Sequence, residues 1–118
     1  MKLIITGDTE FEDQQAIFDK TEQVNNFEEI TEVVCGGLRG VDTIGRQWAI
    51  DHNIPVKLIT VKASNHKNAI EIRNKEMVEY ADAALIIWDG DNQNQVIKNM
   101  LETLIKSKKP YHLATYEV

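Results

Sequence analysis

Apolar residues fall in two kinds of stretch along this chain, short continuous runs and longer spaced ones, and the two alternate. Lys2–Thr6, Thr31–Cys35, Val56–Val61, Ala83–Trp88 and Tyr111–Thr115 read as strands. They are apolar throughout rather than apolar at every second position, the pattern of strands covered on both faces. Between them the spacing is helical. Val41, Ile44, Gly45, Trp48 and Ala49 fall on one face of a helix running to about Asn53. Ala69, Ile72, Arg73, Met77 and Tyr80 lie on or near one face of another, from about Asn68 to Tyr80. Ile97, Met100, Leu101, Leu104 and Ile105 give the clearest amphipathic helix. The first helix is the most polar. Thr9 to Glu12 has the form of a capping box, so the pattern predicts a start there and an end near Asn25, with Ile17, Val24 and Phe27 as a thin apolar stripe.

Strand and helix thus alternate along the whole chain, with Pro55 and Pro110 opening strands, where a missing N–H is tolerated. Such alternation predicts an α/β fold: a five-stranded parallel sheet between two helical layers, in one domain spanning residues 1–118. In such sheets ligands sit beyond the carboxyl ends of the strands. Gly7-Asp8-Thr9, Gly36-Gly37-Leu38-Arg39-Gly40 and Asp89-Gly90 all fall at those ends, which gathers five of the six glycines on one edge.

The turn from Val33 to Asp42 is the focus. A strand that enters a helix through glycines aims backbone N–H groups and the positive end of the helix dipole at one spot. Arg39 adds a forked cation suited to phosphate or carboxylate. Asp42 brings a negative charge to the first helical turn, where it either caps the helix or accepts from a ribose hydroxyl. Arg73 lies close to an apolar face and needs a partner, either a ligand phosphate or Asp42 or Asp8. Trp88, ending a buried strand, either stacks on a base or fills core volume.

Composition narrows the classes. With 42% hydrophobic and 27% charged residues, the chain is neither disordered nor fibrous. No apolar run approaches the ~20 residues that cross a bilayer, and Asp8, Glu10, Glu12 and Asp13 interrupt anything like a signal peptide. The 13 basic against 19 acidic residues leave −6, which disfavours sequence-independent nucleic-acid binding. Cys35, the single cysteine, reads as a core residue in a reducing, cytoplasmic setting. His52, His66 and His112 stand apart, so neither a triad nor a metal or cofactor site is expected.

Three segments together carry a resemblance. Gly36-Gly37-Leu38-Arg39-Gly40-Val41-Asp42, then Ile72-Arg73-Asn74-Lys75-Glu76-Met77, then Ala81–Ile86 with Trp88-Asp89-Gly90, resemble the YspA-like, YpsA-related branch of the SLOG superfamily. Its relatives include the DNA-processing protein DprA and the lonely-guy phosphoribohydrolases. The resemblance implies a Rossmann-like sheet ordered 3-2-1-4-5, a bacterial or phage setting, and a nucleotide-derived ligand over the glycine turn. Gly7, Asp8, Thr9, Gly36 to Gly40, Asp42, Arg73, Asn74, Trp88, Asp89, Gly90 and Asn92 would line it.

Two positions depart from the family pattern. Thr9 stands where an arginine is usual, and Asn92-Gln93-Asn94-Gln95 replaces a small Gly-containing phosphate loop. Both weaken the case for a multiply charged phosphate. Those amides either read a base or sugar, or form a solvated loop. The lonely-guy glutamate is absent too, so an N-glycosidic hydrolase, which would have to use Asp42 or Asp8, ranks behind a sensor or sequestering module. A protein-interaction module that has lost its ligand is a third reading. Pairing of subunits is expected as well, through the apolar last helix around Met100 and Leu104.

Overall fold

The computed structural model describes residues 1–62, 68–91 and 93–116. The elements in chain order are β1 (Lys2–Gly7), α1 (Gln14–Phe27), β2 (Glu32–Cys35), α2 (Val41–Asp51), β3 (Val56–Leu58), α3 (Ala69–Tyr80), β4 (Ala83–Trp88), α4 (Gln95–Lys106) and β5 (Tyr111–Thr115). All five strands are parallel, in the order β3-β2-β1-β4-β5. This is the α/β/α sandwich that the alternation predicts, with the Rossmann-like strand order that the resemblance implies. β1 is central, with Leu3 in register with Val33 on one side and Ala83 on the other.

Alternate residues of each inner strand feed two cores. Leu3, Ile5, Val33, Leu85 and Ile87 pack under α1 and α2 with Ile17, Val41 and Trp48. Ile4, Val34, Ala84 and Ile86 pack under α3 and α4 with Met77, Ile97, Met100 and Leu104. This double cover is why β1, β2 and β4 read as unbroken apolar runs. No described helix is long and apolar enough to cross a membrane.

Several boundaries differ from the sequence reading. The capping box at Thr9–Glu12 does not form. α1 starts at Gln14, and Asp13 caps it by accepting from the Ala16 N–H at 3.1 Å. Its buried stripe is Ile17, Thr21 and Val24, while Phe27 falls off the edge of that stripe and is 90% exposed. β3 stops at Leu58 rather than Val61, β2 begins at Glu32, and α2 ends at Asp51. On α3 the buried positions are Arg73, Asn74, Met77 and Val78, whereas Ile72 is exposed. The buried face is turned because hydrogen bonds, not hydropathy, bring Asn74 inside.

Two further differences concern the surface. Met100 and Leu104, expected at a subunit contact, are buried within the chain's own core. β5 is exposed along most of its length, with only Ala114 half-buried.

Candidate functional site

The glycine turn forms as a close crossing of two loops. Gly40 has φ +74°, and a Cβ there would lie 2.4 Å from the Asp8 carbonyl oxygen. That oxygen accepts from the Val41 N–H at 3.2 Å, which ties the end of β1 to the start of α2. Glycine is therefore required by both conformation and space.

The anion held by the turn's N–H groups is the chain's own Asp42. Its Oδ2 accepts from the Gly36 N–H at 3.1 Å and the Leu38 N–H at 3.4 Å, and its Oδ1 from the Thr6 hydroxyl at 2.7 Å. The side chain is buried, at 1% exposure. Burial pushes the Asp42 carboxyl above the ordinary range, opposed by the Thr6 hydroxyl, the Gly36 N–H, the Arg73 charge and the Leu38 N–H.

Arg73 is the matching buried cation. Its guanidinium donates to the Gly36 carbonyl at 3.4 Å and to Asn74 Oδ1 at 2.9 Å. Asn74 in turn donates to the Val96 carbonyl and to Asn99 Oδ1. A Cβ on Gly36 would meet Arg73 Nη1 at 2.6 Å, so this glycine makes room for the guanidinium. Arg73 is 2% exposed, and its Nε finds no partner among the described residues. Burial lowers its pKa while the Asp42 charge raises it. Cys35, beside this pair, has its thiol pushed up to about 11, first by burial and then by Asp42. At neutral pH it is an unreactive thiol.

Asp8 organises the other half of the edge. Its Oδ2 accepts from the Asp89 N–H and the Tyr116 hydroxyl, each at 2.7 Å, and its Oδ1 from Asn94 at 3.1 Å. Asn94 also caps α4 by accepting from the Ile97 N–H at 3.2 Å. One amide of the Asn92–Gln95 stretch is thus a structural cap rather than a free reader. Burial first, then Asp8, raises the Tyr116 pKa, and its ring stacks on Phe11 at 3.8 Å.

The remaining candidates divide. Gly7 marks the close approach of β1 and β4, and Gly37, Leu38 and Thr9 border the α2 entrance. Arg39 is 72% exposed there and pairs with Glu10. Trp88 is half-buried against the α3/α4 core, with an indole N–H that lacks a partner among the described residues. Asp89 accepts from the Asp91 N–H at 2.8 Å, and Gly90 lies next to Thr115. Asn92 lies outside the described residues, as does His66.

The sequence reading missed Thr6 and Tyr116, and it gave Asn94 no part in capping α4 or holding Asp8. Tyr116 carried a signal, since it follows β5 at the same edge as the glycines. Thr6 did not, because only the adjacency of β1 and β2 brings it to Asp42. A cavity of 530 Å³ between β3 and α3, lined by Lys57, Thr60, Glu76 and Tyr80 among others, adjoins the turn on its β3 side, where a Cβ on Gly37 would lie 2.9 Å from Thr60. Among the described residues no group of three or more His, Cys, Asp or Glu side chains could hold a metal ion.

No curated protein and no solved structure matches the chain. A family model, described as the YspA, cpYpsA-related SLOG family (YAcAr), matches residues 1–66. Those residues contain β1, the Gly36–Asp42 turn and α2, the elements that hold Thr6, Asp8 and Asp42 together. The chain belongs to the YspA, cpYpsA-related SLOG family.

Proposed function

We propose that this protein binds a nucleotide or nucleotide-derived small molecule at the N-terminus of α2, as a sensor or sequestering module of the cytoplasm. One observation carries the reading. α2 opens at Gly40, which has no side chain to cap it, and its first-turn acid, Asp42, turns inward onto Gly36 and Leu38. The Val41 N–H is taken by the Asp8 carbonyl, which leaves the Asp42 and Thr43 N–H groups of the first turn for an anion, and the dipole favours one. Arg39 stands exposed at the same entrance. Arg73 offsets the Asp42 charge from behind, so the local field need not repel a phosphate.

Turnover is the weaker reading on the same grounds. Cleavage of an N-glycosidic bond needs a carboxylate free to face developing positive charge. Asp42 and Asp8 each already accept from three donors of the chain itself.

Calorimetric titration with a panel of nucleoside mono-, di- and triphosphates tests the proposal. Arg39→Ala should weaken binding about ten- to a hundred-fold, the loss of one charge-assisted contact of roughly 1.5–3 kcal/mol. Glu10→Gln should strengthen binding by a few-fold, since it releases Arg39 from its ion pair. A wild type that binds nothing in the panel at millimolar concentration would overturn the reading.

A further inference from the structure

The outer edge of the sheet at β5 is built unlike the opposite edge. β3 is only three residues long and carries Lys57, which is how natural sheets discourage pairing at an edge. β5 has five residues, Tyr111-His112-Leu113-Ala114-Thr115, with no Lys, Arg, Asp or Glu among them. It pairs with β4 alone, so its outer row of backbone donors and acceptors meets no strand among the described residues. Both of its faces are open as well. Tyr111 is 39% and Leu113 43% exposed, and Phe27 stands 90% exposed beside His112, lining cavities of 230 and 180 Å³.

Charge separates along this edge. At the end where β5 begins, Lys106 and Lys108 are exposed. At the end where it finishes, Gly90 lies against Thr115, which sets exposed Asp89 and Asp91 there, and Asp8 and Glu10 act on Tyr116. Glu28 and Asp82 also line the cavity at the first end, with Asp82 turned toward β1 to accept from the Lys2 N–H. Lys106 and Lys108 are thus the charges of the loop leading into β5, the other end is acidic, and the strand between is neutral. A two-fold axis through Leu113, normal to the sheet, would set each basic loop against the partner's acidic end. It would also pair Tyr111 with the partner's Thr115 and His112 with the partner's Ala114, with no like charges opposed along the strand.

The geometry points to a second copy of this chain as the occupant of the β5 edge, joined antiparallel to form one continuous ten-stranded sheet. The contact is self-complementary in backbone, in apolar surface and in charge. It does not use α4's Met100 and Leu104, which are buried in the chain's own core.

Sedimentation equilibrium of the full chain, from nanomolar to high micromolar concentration, tests this. A reversible species of twice 13.5 kDa is expected. Leu113→Lys places two ammonium groups at the axis and should weaken the dimer about a hundred-fold, with circular dichroism reporting whether the variant folds. A second pair reads the same geometry from exposed positions. Lys108→Glu should weaken the dimer, and adding Asp91→Lys should restore it. A wild type that stays monomeric throughout overturns the inference. So does a dimer indifferent to Lys108→Glu and to a folded Leu113→Lys, because its interface lies elsewhere.

Discussion

Asp42 shows how much one residue changes the meaning of a motif. In the sequence it reads as a helix cap, a ribose acceptor or a charge partner for Arg73. It is buried, with Thr6, Gly36 and Leu38 donating to it and Arg73 nearby. The pairing with Arg73 was one of the alternatives the sequence offered, but the capture by Thr6 was not legible, because Thr6 and Asp42 are far apart in sequence and meet only in the fold. Removing the carboxylate would strand two N–H groups and a hydroxyl and leave the buried Arg73 charge unopposed. Asp42→Ala should therefore cost about 2–4 kcal/mol in urea unfolding. A pH series adds a second test. The folded carboxyl sits above its ordinary 3.8, so between 3.8 and the raised value the folded chain holds a proton that the unfolded chain has released. Its contribution is fully present below 3.8 and declines as pH rises through the raised value. Asp42→Asn cannot titrate there. The wild type should lose stability relative to Asp42→Asn across that window, and parallel pH curves would refute the burial argument.

Elements were legible where pattern and punctuation agreed. β4 and β5 match their sequence boundaries, because Asp89-Gly90 ends one apolar run and Pro110 opens the other. α1 was misread at its start, since Thr9 and Glu12 have the right identities for a capping box but Asp13 holds the cap. Asp13→Ala should cost about 1 kcal/mol, and Thr9→Ala much less, in thermal unfolding. Equal losses would restore the capping box. α3 was misread in its face, since hydropathy cannot anticipate an asparagine buried by its bonds to Val96 and Asn99. β5 was misread in its burial. Its residues look like those of an inner strand, and its place at the end of the sheet is a property of topology.

At the scale of the whole molecule, alternation plus the avoidance of crossed connections left few arrangements, and 3-2-1-4-5 is the one that forms. It brings the loops after β1, β2 and β4 to one edge, which is why the glycine clustering located the site region from sequence. The edge depends on close contact between β1 and β4. A Cβ at Gly7 would lie 1.9 Å from the Ile87 carbonyl oxygen. Gly7→Ala should therefore cost about 2–3 kcal/mol in chemical denaturation, and an unchanged midpoint would show that the strands part without penalty there. Which groups at the edge remain available to a ligand was not legible, since Asp42 and Asp8 occupy donors that the sequence seemed to offer. The proposed function puts the anion at the entrance of α2. The most direct measurement is a heteronuclear amide spectrum of the full chain, titrated with nucleoside phosphates. Shifts should gather on Arg39, Gly40, Asp42 and Thr43, grow to saturation, and diminish in Arg39→Ala. An unmoved spectrum at millimolar nucleotide, or shifts gathered instead at Lys57, Thr60 and Tyr80 in the β3–α3 groove, would contradict it.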